Sequence, residues 1–156
     1  MRIQLLFVGK TRNSVYAEAL AEYGRRLGRY LDFECREIRD DKPGRRETPA
    51  AFCRRQAPRL CDEFRKSGGR RILLDEPGRQ MNSLQFADFL GRELEGNRDL
   101  VFFCGGPFGY DQTVRDLAEQ RLSLSSLTFP HELARLLLVE QLYRALTIIR
   151  GEPYHY

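Results

Sequence analysis

The segment Leu100-Val101-Phe102-Phe103-Cys104-Gly105-Gly106-Pro107-Phe108-Gly109 decides the architecture of this chain. Five consecutive apolar residues leave no polar face, which is the pattern of a strand buried on both sides in a parallel sheet covered by helices. The Gly-Gly-Pro step then ends the strand abruptly. Ligands of open α/β sheets bind just beyond the carboxyl ends of strands, where glycine permits close backbone approach. A lone Gly-Gly-Pro is nevertheless more often a tight turn than a binding loop.

Toward the N-terminus, Ile3 to Val8 is a second apolar run ending at Gly9, and Ser14 to Leu31 places Tyr16, Leu20, Tyr23 and Leu27 at helical spacing. Phe33 to Ile38 reads as a weaker strand, closed by the turn-rich Asp40-Asp41-Lys42-Pro43-Gly44. Thr48 and Pro49 have the character of an N-cap and first helical residue, opening a basic helix with Phe52, Leu60 and Phe64 inside and Pro58 as a potential interruption. Arg71 to Leu74 is a third strand, ended by Asp75-Glu76-Pro77-Gly78, and Asn82 with Gln85 forms a capping box for a helix carrying Leu84, Ala87, Leu90 and Leu94. Toward the C-terminus a short helix leads to the strand-like Ser123 to Phe129, and Glu132 to Arg150 is the final helix. Strands alternating with helices give an α/β fold with a mainly parallel sheet flanked by helices, organised as a single domain over residues 1–156.

With 42% hydrophobic and 31% charged residues and no long apolar run, the composition is that of a soluble, membrane-free protein. Met1-Arg2-Ile3-Gln4 enters a short apolar stretch without a small-residue cleavage site, so a cytoplasmic location is expected. Cys35, Cys53, Cys61 and Cys104 are scattered, and with only His131 and His155 to join them they suggest neither a disulfide framework nor a metal site. Net charge is +4, but residues 42–71 carry +7 and the rest of the chain −3. That basic block suits contact with phosphate backbones, and equally a solvated helix face.

Gly9-Lys10-Thr11 after a strand imitates the end of a P-loop, but the glycine required five positions before Gly9 is Gln4, which excludes nucleotide hydrolysis of that type. No G-x-G-x-x-G follows any strand, so a conventional dinucleotide site has no support. In the final helix 12 of 19 residues are apolar, and Leu133, Leu136, Leu137, Tyr143 and Ile148 lie opposite the main apolar face. Such a helix needs cover on both sides, from a second subunit or from burial at the centre of the domain.

Gly105-Gly106-Pro107-Phe108-Gly109, Leu122-Ser123-Leu124-Ser125 with Leu127-Thr128-Phe129-Pro130-His131, Val139-Glu140-Gln141-Leu142-Tyr143-Arg144-Ala145 and the terminal Pro153-Tyr154-His155 together resemble the RlmH family of SPOUT methyltransferases. Val8-Gly9, Glu22-Tyr23 and Leu74-Asp75-x-x-Gly78 extend the resemblance, which is weakest from Asp40 to Lys66. It implies a C-terminal trefoil knot, an exception to the rule that chains stay unknotted. It implies further a homodimer that uses S-adenosylmethionine to methylate N3 of a pseudouridine in a 23S rRNA stem-loop near the decoding centre of the assembled ribosome.

Under that resemblance, Leu74, Gly106, Ser125, Ser126, Leu127, Thr128, Phe129 and Pro130 fall on the cofactor loops, with backbone groups reading the adenine and Leu127 and Phe129 as apolar walls or as plain core. Arg144 is a candidate for phosphate or the uracil-like face, its alternative being a salt bridge with Glu140 one turn back. His131 and His155 are candidates for proton removal or RNA contact, and Arg144, Tyr154 and His155 for serving the RNA. From the residues alone two other readings stay open: a non-catalytic RNA-binding or ribosome-associated module, and an α/β enzyme acting on a small nucleotide.

Overall fold

The computed structural model describes residues 1–155. Its elements are β1 (Arg2–Val8), α1 (Ser14–Leu27), β2 (Asp32–Ile38), α2 (Pro49–Lys66), β3 (Arg70–Gln80), α3 (Ser83–Glu95), β4 (Leu100–Cys104), α4 (Gln112–Arg115), β5 (Gln120–Ser123) and α5 (His131–Arg150). All strand pairs are parallel, in the order β2-β1-β4-β3-β5. The central position of β4 follows from its composition, because all five of its residues are buried.

Alternation along the central strands splits their side chains between two cores. Ile3, Leu5, Phe7, Leu100, Phe102 and Cys104 pack with α3 and α5 on one face, while Leu6, Val8, Val101 and Phe103 pack with Phe64 and Leu60 of α2 and Val114 of α4 on the other. Each core residue of this kind stabilises the fold by roughly 1.5–3 kcal/mol relative to exposure.

Local signals place the helix starts. Asn13 accepts N–H bonds from Val15 and Tyr16, Thr48 accepts one from Ala51, and the Asn82–Gln85 capping box is complete. Pro58 does not break α2: it lies on the exposed side of a helix that runs on to Lys66, and the carbonyl it cannot bond belongs to Arg54, also on the exposed side. α1 stops at Leu27 with Gly28 as its cap, short of the expected Leu31.

Two expectations are corrected. β3 does not end at Leu74 but resumes after a bulge, with Leu74 and Arg79 both opposite Leu122 and residues 75–78 extruded between them. Gly78 makes the close approach possible, since a Cβ there would lie 2.7 Å from the backbone carbon of Leu122. The strand-like Ser123 to Phe129 is instead strand only to Ser123, followed by an irregular loop. In that loop the Ser123 hydroxyl donates to the Ser125 carbonyl at 2.9 Å, and the Leu127 N–H donates to Ser125 Oγ at 3.0 Å. Such short side-chain bonds compete with ladder pairing at a sheet edge. No helix among the described residues is long and apolar enough to cross a membrane.

Candidate functional site

A cavity of about 350 Å³ lies at the carboxyl ends of β3, β4 and β5. The bulge after Leu74, the loop after Cys104 and the loop after Ser123 form its walls, and the first turn of α5, with His131 and Ala134, closes one side. Of the sequence-derived cofactor residues, Leu74, Gly106, Ser125, Leu127, Thr128 and Phe129 line it, whereas Ser126 and Pro130 belong to the same loop without forming the wall.

The two glycines of the central loop do different jobs. A Cβ on Gly105 would come 2.6 Å from Cζ of Tyr110, a buried ring whose hydroxyl donates to the Phe103 carbonyl at 3.0 Å. A Cβ on Gly106 would meet only Val8 Cγ1, at 4.0 Å. Gly105 is therefore required by packing, while Gly106 leaves space free beside the cavity. Leu127 is 70% exposed, which sets aside core packing as its role. Its apolar side chain stands open at the cavity rim.

Sequence reasoning missed the charges that shape this pocket. Asp75, on the bulge, is 5% exposed and accepts two bonds from Arg115 of α4, at 2.8 and 3.2 Å, with Arg121 at 3.8 Å. The paired geometry raises the Arg115 pKa and ties the bulge to α4. Arg135 was also missed. It is fully buried, donates to the Val8 carbonyl at 2.5 Å and to Thr11 Oγ1 at 3.0 Å, and lies 5.0 Å from the Phe7 ring centre, while its Nε has no partner. Its signal was present in the sequence, since 135 continues the helical stripe through 138, 139, 142 and 146.

His131 begins α5, and burial followed by the nearby Arg135 charge pushes its pKa below the usual histidine value. The imidazole is therefore neutral near pH 7. His155 is exposed and stands 3.5 Å through Nδ1 from Arg144 Nη1.

Arg144, Tyr154 and His155 form one cluster, but far from the cavity. Arg144 makes the salt bridge with Glu140 at 2.7 Å and lies 4.8 Å from the Tyr154 ring centre. The Tyr154 hydroxyl is 3.1 Å from both Glu140 Oε1 and the Tyr23 hydroxyl, and its ring packs edge-on against Tyr143. The tail reaches this position because Gly151 ends α5 with φ +66, a left-handed cap that turns the chain back. Arg144 lies thirteen residues after His131 in the helix, and at 1.5 Å per residue that is about 20 Å along the axis. Within one chain the tail cluster and the cavity stand at opposite ends of α5.

A family model described as a predicted SPOUT methyltransferase matches residues 1–155. The protein named ribosomal RNA large subunit methyltransferase H from an Anaeromyxobacter species is 43% identical over 161 residues, covering 99% of each chain. Proteins of the same name from Geotalea daltonii and Porphyromonas gingivalis are 41% and 40% identical over 157 residues, covering all of this chain and at least 99% of their own. A crystal structure of tRNA (m1G37) methyltransferase from Aquifex aeolicus superposes with a TM-score of 0.55, covering 100% of this chain and 75% of that one, and at 17% identity this likeness concerns the fold. The chain thus belongs to the SPOUT methyltransferase family, among the ribosomal RNA large subunit methyltransferase H proteins.

Proposed function

We propose that the chain is an S-adenosylmethionine-dependent methyltransferase of large-subunit ribosomal RNA. Its target is N3 of a pseudouridine in a 23S rRNA stem-loop near the decoding centre of the assembled ribosome, and it acts as a cytoplasmic homodimer with a C-terminal trefoil knot. The full-length relatives and their common name support the ribosomal RNA substrate.

The observation that carries the methyl-donor reading is the cavity at three parallel strand ends, with free space beside Gly106 and an exposed apolar wall at Leu127. S-adenosylmethionine, when bound, supplies a methyl group on a sulfonium. Leu74, Gly106 and the segment Ser125, Ser126, Leu127, Thr128, Phe129 and Pro130 would hold it, the segment through backbone groups and the leucines through apolar contact. Beyond binding, the chain must align the nucleophile and take up the imino proton. His131 suits proton acceptance better than His155, because it borders the cavity while His155 stands in the tail cluster beside Arg144.

Arg144, Tyr154 and His155 serve the RNA, and they do so at the pocket of a second copy. The separation of about 20 Å along α5 prevents them from reaching their own. Leu133, Leu136 and Leu137 remain partly exposed on α5 and give the second copy an apolar face to cover.

Calorimetric titration with S-adenosylmethionine tests the donor site, and mass-spectrometric mapping of 23S rRNA from a strain lacking the protein tests the target. No binding, or an unchanged modification pattern, would refute the respective part. Mixing Arg144→Ala with Gly106→Val chains tests the composite site: heterodimers should regain one working centre, and a mixture as inactive as its components would place Arg144 and Gly106 of a centre in one chain.

A further inference from the structure

A second cavity, of about 600 Å³, opens at the carboxyl ends of β1 and β2 and shares Pro107 and His131 with the donor pocket. Its wall carries three cations, Lys10, Arg12 and Arg39, and three carboxylates, Glu37, Asp40 and Glu132. The carboxylates are engaged within the chain. Glu37 accepts the Thr11 N–H at 2.7 Å, Glu132 accepts the Arg12 and Asn13 N–H groups at 3.1 and 3.0 Å, and Asp40 accepts from Gln56 Nε2 at 3.4 Å. The cations are not engaged: among the described residues none of the three is in a salt bridge.

The contrast with the basic block of residues 42–71 is informative. There Arg55, Arg59, Arg65, Arg70 and Arg71 all pair with carboxylates. Around the second cavity Glu37 and Glu132 are turned to backbone amides and Asp40 to the Gln56 side chain, while the exposed cations are left to solvent. Position follows from the sheet. β1 and β2 are neighbours with Val8 opposite Ile38, so the loops after them bring Lys10 and Arg12 together with Arg39. The β1 loop is also anchored, since the buried Arg135 holds Val8 and Thr11.

We propose that this cavity is a backbone subsite for the RNA strand, in which Lys10, Arg12 and Arg39 hold the phosphodiesters beside the target nucleotide. The base then crosses Pro107 and His131 into the neighbouring pocket. The inference rests on the RNA methyltransferase reading. A strand fits better than a small anion, because the cavity is larger than the donor pocket and its cations come from two separate loops. Contacts of this type position a nucleic acid without reading its sequence.

The test compares wild type with the triple variant Lys10→Gln, Arg12→Gln, Arg39→Gln, and with a control, Arg65→Gln, Lys66→Gln, Arg92→Gln. The control removes the same charge at the ends of α2 and α3, which lead into the amino edge of the sheet. Fluorescence anisotropy with a labelled RNA stem-loop is read across about 50–200 mM salt, and methylation is followed on ribosomes. The triple variant should bind RNA at least about tenfold more weakly, with a salt slope smaller by about two, each phosphate contact contributing about 0.7–0.9. Its KM for ribosomes should rise while S-adenosylmethionine affinity and thermal midpoint stay at wild-type values. The control, and the charge-preserving Lys10→Arg, Arg12→Lys, Arg39→Lys, should keep the wild-type slope. Equal slopes and KM in wild type and triple variant, with wild type active, would overturn the subsite alone. A wild type that neither binds nor methylates RNA would overturn the methyltransferase reading as well.

Discussion

Replacing Gly105 and Gly106 separately distinguishes a glycine needed by the fold from one needed by a ligand. Neither has a positive φ, so alanine adopts either backbone without strain and gains about 0.4–1 kcal/mol from a less flexible unfolded chain. At Gly105 that gain is overridden. The new Cβ would lie 2.6 Å from Cζ of Tyr110, whose ring is buried and hydrogen-bonded to the Phe103 carbonyl and cannot swing away. Overpacking of this kind costs about 1–3 kcal/mol. In a domain of this size each kilocalorie moves the thermal midpoint by about 2–4 °C. Gly105→Ala should therefore unfold several degrees below wild type, and the loss should vanish when Gly105→Ala is introduced into a Tyr110→Ala background. Gly106→Ala should be as stable as wild type, since its Cβ touches only Val8 at 4.0 Å. Gly106→Val should also fold, and calorimetry should show no S-adenosylmethionine binding. A Gly105→Ala protein as stable as wild type, or a penalty unchanged in the Tyr110→Ala background, would refute the packing argument. Full cofactor binding by Gly106→Val would remove Gly106 from the site.

Arg144→Ala, and truncation after Gly151, should each lower ribosome methylation tenfold or more, or about 1.4 kcal/mol in the barrier, with cofactor affinity unchanged; equal losses of cofactor binding would reassign the tail. Sedimentation at micromolar concentration should give the dimer mass, and an interface of at least about 1,000 Å² should involve the partly exposed face of α5; a monomer mass would end that reading. Glu132 has its pKa held down first by the Asn13 N–H and then by the Arg12 N–H, so its contribution to stability is present above its unfolded pKa and lost as pH falls through the lower folded value. Urea midpoints measured downward from about pH 5 should show a smaller acid-side loss in Glu132→Gln than in wild type, whose unfolded carboxylate titrates near 4.3; parallel profiles would show that the carboxylate does not hold this loop.

The α/β architecture was legible because the central strands are apolar on both faces and the helix starts carry recognisable caps. β4 needed no more than Leu100 to Cys104 to be placed at the centre of the sheet. Most of the residues that the sequence resemblance placed on cofactor loops line one cavity. What escaped were features that depend on the third dimension. Asp75 and Pro77 read as turn residues, yet they belong to a bulge within a continuing strand, because only contact with β5 shows that Arg79 resumes the ladder. The segment after Ser123 alternates like a strand, but its serines bond their own backbone. The Arg115 partner of Asp75 lies 40 residues away, and no local spacing announces it. The basic block misled for a related reason: its charge is visible in sequence, whereas the carboxylates that pair with Arg59, Arg70 and Arg71 come from outside it.

Arg135 shows how these levels meet. Its position in the buried stripe of α5 would accept leucine, and a guanidinium there carries a cost: burial lowers its pKa, and its Nε has no partner. An unsatisfied buried group costs about 1–3 kcal/mol, so stability alone does not account for the residue. Its contacts do. It holds the carbonyl of Val8 and the hydroxyl of Thr11, at the point where β1 gives way to the loop carrying Lys10 and Arg12. Three residues earlier, in the first turn of the same helix, Glu132 holds the Arg12 and Asn13 amides of that loop. The first turn of α5 thus fastens the loop through both charges, while His131, in the same turn, forms part of both cavities. A leucine at 135 would fill the core and release the loop from the helix. The arginine keeps the cations of one cavity in fixed relation to the wall of the other, and a transfer that depends on alignment needs that relation more than it needs the last kilocalorie of packing.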